Sequence, residues 1–397
     1  MTTAARQQVK VGVIGAGLMG KELAGALGRW SALQQSSVEP VLTAVCDVNP
    51  GALERFRRVG SVQTLTGDYR ELLDGSVDVL YVAVPHHLHE SVYLDIAAAG
   101  VDFLGEKPFG IDPGASAAIG DGIAASGAFV RCSSEMPFYP GAQQAISFLQ
   151  QGRTGRVIEA AFSFLHSSDL NVDKPINWKR QTQFCGQIGV MGDLGMHVTH
   201  VPLRLGWRPS TVFAQLQELV ATRPDGKGGT ALCDTIENAG LHTRVTADGS
   251  DFPLTFETKR IAPGEMNTWK MRVVGMDGGV EFSTRYPQSL KVMTVRDGQQ
   301  VWEERMTGSQ SAQPTITGPI FEFGFPDALL QMWAAYFAER SGELGEAFGC
   351  ATPGEALATH ELFDAALRSS ATGTAAELTP TRRRHQPGDV AGVLGRS

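Results

Sequence analysis

Two short stretches of this chain carry residue types that could move protons. In Glu106-Lys107-Pro108, a lysine amine can donate a hydrogen bond to a reacting oxygen and relay its proton, and a neighbouring cation such as an oxidised nicotinamide could lower its pKa toward the working range. In Gly192-Asp193-Leu194-Gly195-Met196-His197-Val198-Thr199-His200, the i, i+4 spacing puts Asp193 and His197 on one face of a helix, and His200 follows three residues on. A carboxylate that orients an imidazole is a standard way to prepare a general base. Taken singly, each stretch has a plainer reading: a solvated loop for the tripeptide, and an N-capping aspartate beside a buried histidine for the helix. His86, His87 and His89 form one metal-compatible set, and Asp193, His197 and His200 another. No metal is expected, because a lysine that does the proton work needs none.

The elements that must position these residues alternate. Residues 9–14 read as a buried strand, 18–33 as a helix, 41–46 as a second strand and 51–59 as a second helix. A long apolar strand at 77–84, a helix at 90–99, a strand at 102–105, a helix at 113–126 and a strand at 129–132 complete the run. Such alternation needs crossover connections, which make a doubly wound parallel sheet with helices on both faces, an α/β domain over residues 1–133. Lys107 then lies just past the carboxyl end of a strand, where ligands of such sheets sit. After a helix at 141–151 the texture changes to alternating segments at 157–164, 211–219, 239–245, 254–259 and 271–282. Turns at Asp225-Gly226, Asp248-Gly249, Asp277-Gly278 and Asp297-Gly298 favour hairpins. Residues 134–378 are therefore expected to form an α+β domain around a large, mostly antiparallel sheet, closed by helices at 328–340 and 353–370. Residues 379–397 are expected to be a polar, poorly ordered tail that keeps Arg382, Arg383 and Arg384 solvated.

Gly15-Ala16-Gly17-Leu18-Met19-Gly20 matches G-x-G-x-x-G, follows the first buried strand and opens a helix. In a chain with 46 glycines chance matches are common, and it is this context that gives the pattern weight. Gly15 would permit the tight turn, Gly17 the approach of a pyrophosphate, and Gly20 close packing of helix on strand. The free N–H groups at the helix start, around Leu18 and Met19, would meet the phosphates. The second strand ends in Asp47. Its carboxylate can accept hydrogen bonds from both adenosine ribose hydroxyls and would repel a 2′-phosphate, so NAD is expected over NADP. Asp47 stands 27 residues past Gly20 instead of the usual gap of about 20, and the polar stretch 31–40 absorbs the difference. Arg55 and Arg57 are the residues that could favour a 2′-phosphate.

The chain has 397 residues, 42% of them hydrophobic, and a formal net charge of −8. That length exceeds one ordinary core, and two domains are the natural division. The acidic balance argues against nucleic acid or anionic membrane as a partner. No apolar run reaches the roughly 18 residues needed to span a bilayer, and the polar first residues lack the apolar stretch of a secretory signal. Five scattered cysteines, with no C-x-x-C pair, point to a reducing cytoplasm and to neither a disulfide framework nor a zinc–cysteine site.

In combination the motifs resemble the Gfo/Idh/MocA oxidoreductase family, also called glucose–fructose oxidoreductase or inositol dehydrogenase-like. The carriers are Gly15-x-Gly17-x-x-Gly20, Val84-Pro85-His86-His87-Leu88-His89, Glu106-Lys107-Pro108 and Asp193-x-x-x-His197, with Ser369-Ser370-Ala371-Thr372-Gly373 in the final helix. The resemblance covers residues 9 to about 378. It implies a Rossmann domain followed by an open antiparallel sheet that packs against another subunit in a homodimer or homotetramer. It implies Lys107 as the catalytic lysine, His197 as the general acid/base, and Asp193 as the carboxylate that orients substrate and histidine. Glu106 would place Lys107 and the nicotinamide ribose, and Val84, Pro85, His86 and His89 would line the cofactor. Glu135 and Trp178 are expected at the substrate, with Lys179 and Arg180 shaping the pocket wall. Val84-Pro85-His86 stands where the family commonly has Thr-Pro-Asn, and Glu135-Met136-Pro137-Phe138-Tyr139-Pro140 where it has an asparagine-and-arginine segment. The glycine run before the aspartate is diluted to Gly186-Gln187-Ile188-Gly189, and His200 replaces a frequent aspartate. The expected activity is hydride transfer between NAD and a hydroxyl-bearing carbon of a sugar, sugar derivative or cyclitol. Two rivals use the same scaffold: an NAD-dependent glycoside hydrolase that oxidises a ring hydroxyl transiently, and a non-catalytic NAD-binding regulator. The regulator would have no need of Lys107, Asp193 and His197 as a set.

Overall fold

The structure, a computed structural model, describes residues 6–378; the expected tail at 379–397, with its three arginines, lies outside the described residues. The first part of the chain runs β1 (Gln7–Ile14), α1 (Leu18–Gly28), β2 (Val38–Cys46), α2 (Pro50–Leu53), β3 (Thr64–Thr66), β4 (Val79–Val82), α3 (His89–Ala98), β5 (Asp102–Gly105), α4 (Pro113–Ser126) and β6 (Val130–Cys132). The six strands are parallel, in the order β3-β2-β1-β4-β5-β6. This is the doubly wound order of a Rossmann domain, with its switch point between β1 and β4. Side chains alternate across it as the pleat requires. Val9, Val11, Val13, Val79 and Tyr81 enter one apolar cluster, while Ile14, Leu80, Val82 and Phe103 enter another on the opposite face.

Two helices are shorter than the apolar pattern suggested. The one expected over 18–33 stops at Gly28, and the chain continues as a 3₁₀ turn, Trp30–Ala32. Trp30 donates its indole N–H to Val38 O at 2.9 Å, a tertiary bond that turns the chain toward β2. The helix expected over 51–59 is one turn, α2, followed by a second 3₁₀ turn, Phe56–Arg58. Strand β3 is too short to show a period in sequence.

The second part runs α5 (Pro140–Gln150), β7 (Val157–Leu165), α6 (Thr182–Cys185), α7 (Val190–Arg204), β8 (Pro209–Gln217), β9 (Thr222–Pro224), β10 (Thr230–Leu232), β11 (Asn238–Ala247), β12 (Ser250–Lys259), β13 (Thr268–Gly275), β14 (Gly278–Ser283), β15 (Ser289–Arg296), β16 (Gln299–Met306), α8 (Phe325–Arg340), α9 (Pro353–Thr372) and β17 (Ala376–Glu377). Nine of its strands form an open sheet, β16-β15-β14-β13-β7-β12-β11-β8-β17. The pairing is antiparallel except for β7 with β12, which is parallel. Strand β7 causes the exception, because it enters from α5 and slots between two blocks of hairpins. Asp248-Gly249 and Asp297-Gly298 have positive φ at both residues, the tight turn that matches the twist of paired strands. The segment expected at 271–282 breaks at Met276-Asp277 into β13 and β14.

Helix α7 is buried from Val190 to Leu203, packed on β7 and β12 on one side and on α9 on the other. Helix α8 packs on the first sheet's α1. There Trp30 meets Phe337 and Tyr81 meets Trp333, each edge-on with ring centroids 5.5 Å apart. Arg340 Nε donates to Asp102 Oδ2 at 2.7 Å, and Arg131 pairs with Glu339 at 2.6 Å. One apolar cluster consequently runs from Val9 through α8 to the second sheet.

Buried imidazoles inside this packing make stability depend on pH. Burial pushes His200 down to about 3 and His360 to about 4. The unfolded chain takes up these protons near pH 6.5, whereas the folded chain resists them until far lower. Their contribution is therefore complete above about 6.5 and is lost progressively as pH falls toward 4. Thermal scans should show a Tm that declines steadily across that interval; a level Tm would contradict the assignment.

Candidate active site

The end of β1 delivers the chain into Gly15, whose φ is +101°. A Cβ there would stand 2.3 Å from Ala83 O, and one on Gly20 would stand 2.2 Å from Gly15 O. No side chain fits at either position, which is what a tight turn packed against its own helix requires. Gly17 is different: a Cβ would meet nothing within 4 Å, so its surroundings are open. Helix α1 starts at Leu18 with no side chain capping it, which leaves its first N–H groups available to an anion. Asp47, just past β2, accepts from Ala16 N–H through Oδ2 and from Asn49 N–H through Oδ1, both at 2.8 Å. It braces the glycine turn from the position where an adenosine ribose would lie. The open space, uncapped helix and adjacent carboxylate fit a dinucleotide.

Strand β5 ends at Gly105, and the next residue is held on three sides. Glu106 N–H donates to Val82 O at 2.9 Å. Tyr81 donates its hydroxyl to Glu106 Oε1 at 2.6 Å, and Tyr93 donates to Glu106 O at 2.7 Å. This fixes Lys107, whose following peptide bond to Pro108 is cis. Lys107 Nζ donates to Asp193 O at 2.5 Å and to Asp193 Oδ1 at 3.2 Å. The two stretches singled out in the sequence therefore meet, although 86 residues separate them.

Asp193 gathers further cations. Lys179 Nζ donates to Oδ1 at 2.7 Å and Arg260 Nε to Oδ2 at 3.3 Å. Arg260 also donates to Lys179 O at 3.0 Å and Gly189 O at 3.3 Å. Its side chain is fully buried, and that of Asp193 is 7% exposed. Burial alone would raise the Asp193 carboxyl, but Lys179, Lys107 and Arg260 hold it well below the usual carboxylate range. Burial likewise works against a charged Lys107, and Asp193, Glu106 and Glu135 outweigh it and hold the amine above its ordinary value. With these protein groups alone around it, Lys107 stays a cation. Lys179 goes the other way: burial, with Lys107 and Arg260 nearby, lowers it despite Asp193.

His197 lies on the same face of α7 as Asp193, but the orienting contact expected between them is not what the geometry displays. The Asp193 oxygens are engaged by the three cations. The carboxylate facing the imidazole belongs to Glu135, with Oε2 at 3.7 Å from His197 Nδ1. Trp269 donates its indole N–H to His197 O at 2.7 Å, and the Phe164 ring stands edge-on to the imidazole at 5.1 Å. Burial, with Lys107 adding to it, holds His197 well below its ordinary value. Burial, with Glu106 adding to it, pushes Glu135 up to about 7.

The other expected residues divide. His86 is buried and edge-on to Trp178, with ring centroids 4.6 Å apart. Electrostatically it is close enough to Asp193 for each to affect the other's titration. Val84 and Pro85 follow β4, and Val84 O bonds His89 Nε2 at 2.9 Å, while Pro108 O bonds His89 Nδ1 at 2.6 Å. His89 is fully buried and ties the loop after β4 to the loop after Lys107. His87 faces Phe184, and His200 packs on Phe348. Among the described residues, no three of His, Cys, Asp and Glu are placed to hold a metal ion. Arg180 is buried and paired with Asp169. Arg260 was missed: a lone arginine at a strand end has no motif, and only its burial against Asp193 reveals it.

Comparisons with known proteins bear on the fold that carries this site. Residues 9–131 match the model of an oxidoreductase family with an NAD-binding Rossmann fold, Gfo/Idh/MocA. Levoglucosan dehydrogenase of Pseudarthrobacter phenanthrenivorans is 25% identical over 336 residues, which are 80% of this chain and 82% of that protein. A mouse trans-1,2-dihydrobenzene-1,2-diol dehydrogenase is 30% identical over 156 residues, 38% of this chain and 45% of its own. The solved structure of a levoglucosan dehydrogenase in complex with NADH superposes with a TM-score of 0.83 at 22% identity, covering 94% of this chain and 100% of that one. An inositol dehydrogenase homologue from Azotobacter vinelandii, complexed with NAD+, gives 0.77 at 17% identity, covering 95% and 100%. A dinucleotide-shaped turn at one strand end, a lysine at another and named dehydrogenases among its relatives lead to one conclusion: residues 9–131 are an NAD-binding Rossmann domain of the oxidoreductase type found in Gfo/Idh/MocA proteins, in a chain that shares the overall fold of dehydrogenases of that kind.

Proposed function

We propose that this protein transfers a hydride between NAD and a hydroxyl-bearing carbon of a sugar, sugar derivative or cyclitol, with Lys107 and His197 handling the proton. The observation that carries the reading is the convergence of Lys107 on Asp193, four residues before His197 on α7. Bound NAD supplies the acceptor or donor of the hydride. Gly15, Gly17, Gly20 and the N–H groups of Leu18 and Met19 would hold its pyrophosphate, and Asp47 its ribose. Val84, Pro85, His86 and Glu106 would line its nicotinamide end. Lys107, kept protonated, donates a hydrogen bond to the substrate oxygen and stabilises negative charge that develops there. His197, kept neutral by burial, is the group able to accept the hydroxyl proton at neutral pH. Asp193 sets the position of Lys107, and Trp178 and Glu135 complete the walls of the substrate pocket.

The levoglucosan dehydrogenase and the inositol dehydrogenase homologue among its likenesses support a polyhydroxylated ring as substrate. The outward face of the nine-stranded sheet, carrying Glu257, Lys270, Arg272 and Glu281, is the surface on which a homodimer or homotetramer would assemble.

The direct test follows NADH absorbance over levoglucosan, monosaccharides, inositols and their keto forms. Lys107→Ala and His197→Ala should each lower kcat by about 10²–10⁴-fold, the usual worth of a positioned proton donor or acceptor, while still binding NAD. Full turnover in both variants would overturn the reading, and glycoside cleavage without NADH accumulation would replace it with hydrolysis. A second test concerns the cofactor. Asp47→Ala should weaken NAD binding about tenfold or more, as loss of a charge-assisted hydrogen bond does, and should narrow the preference for NAD over NADP. Unchanged affinities by fluorescence titration would remove Asp47 from the ribose site.

A further inference from the structure

We propose that Glu135 is a positioning residue that decides which nitrogen of His197 carries hydrogen, so that carboxyl and imidazole hold and pass the substrate proton as one pair. The inference rests on the reading of His197 as proton acceptor. Both side chains are buried, with Glu135 5% and His197 2% exposed. Glu135 Oε2 lies 3.7 Å from His197 Nδ1, and that nitrogen has no other hydrogen-bond partner among the described residues. Catalytic hydrogen bonds of this kind are often long before ligands arrive and tighten afterwards. Asp193, the alternative orienter, is already engaged by Lys107, Lys179 and Arg260.

The chemistry balances in either direction. With Glu135 ionised, Nδ1–H donates to its carboxylate and Nε2 is bare. The substrate O–H bond breaks and an Nε2–H bond forms as the carbon gives up its hydride to the oxidised cofactor. The imidazolium is stabilised by the carboxylate, and transfer of the Nδ1 proton to Oε2 leaves a neutral carboxyl beside an imidazole protonated at Nε2. The pair has then gained one proton, and this second state is ready to donate from Nε2 to a carbonyl oxygen in the reverse reaction. The groups facing Glu135 are Glu106, Lys107, Tyr81 and Tyr139, and those facing His197 are Lys107, Asp193, His200 and Lys179. Burial and Glu106 push the Glu135 carboxyl up to about 7, so both states are populated near neutrality.

The test needs no substrate. The full chain, labelled with ¹⁵N in histidine and supplied with NAD, is titrated on either side of pH 7 and its ring nitrogens are followed by long-range ¹H–¹⁵N correlation. His197 is assigned by its loss in His197→Gln. In the wild-type protein, Nδ1 of His197 should read as protonated above a midpoint of about 7 and as bare below it. Glu135→Gln should abolish that midpoint, and Glu135→Asp should restore one. A flat wild-type titration overturns the proposal whether or not the variants fold, as does an identical midpoint in Glu135→Gln. Spectra as expected with full turnover in His197→Ala would sink the functional reading alone. Flat spectra with an inactive His197→Ala would sink only this inference.

Discussion

Three cations closing on the Asp193 carboxylate organise this molecule. Lys107 comes from the loop after β5, Lys179 from the segment before α6, Arg260 from the end of β12, and Asp193 itself from the first turn of α7. Four distant stretches of chain are thereby committed to one point between the two sheets. A fully buried guanidinium needs a counter-charge, and Asp193 supplies it. Removing one member of a buried ion pair typically costs about 3–5 kcal/mol, because the other is left uncompensated. The constraint runs outward as well. Arg260 also binds the carbonyls of Lys179 and Gly189, so the same group that neutralises Asp193 also secures the start of α7.

This arrangement separates the two groups proposed to handle the proton. The lysine sits against carboxylates and remains charged; the imidazole sits against Phe164 and the lysine and remains neutral. Environments that push two titratable groups apart in this way assign one as hydrogen-bond donor and the other as proton acceptor. Because the Asp193 oxygens are engaged elsewhere, the imidazole faces a different carboxyl, Glu135, from the loop after β6. The helical i, i+4 relation between Asp193 and His197 is real but does not govern where the carboxylate points. Side-chain partners brought from elsewhere do.

Supporting structure around Lys107 is similarly distributed. Tyr81 and Tyr93 fasten Glu106, and His89 spans the carbonyls of Val84 and Pro108. The backbone on either side of the lysine is thus fixed by buried side chains. Helix α8, late in the chain, secures the same sheet through the Asp102–Arg340 and Arg131–Glu339 pairs.

Much of this was legible in the amino-acid order. The parallel sheet followed from strand–helix alternation, the glycine turn from its place after β1, and the hairpins from Asp248-Gly249 and Asp297-Gly298, because each is set by local periodicity or by a backbone conformation that few residues adopt. Lys107, Asp193 and His197 were visible as types of residue at meaningful places. The short helix α2, the early end of α1, and the parallel pairing of β7 with β12 were not visible, since each depends on a partner distant in the chain. The same holds at the site. Sequence alone determined which groups could do chemistry and which elements would carry them. Only the tertiary structure decided their charges and partners: that Arg260 would neutralise Asp193, that Lys107 would stay a cation, and that Glu135 would face His197. Burial and electrostatic coupling act between neighbours in space, and residues 107, 135, 193 and 260 become neighbours only when both sheets have closed around them.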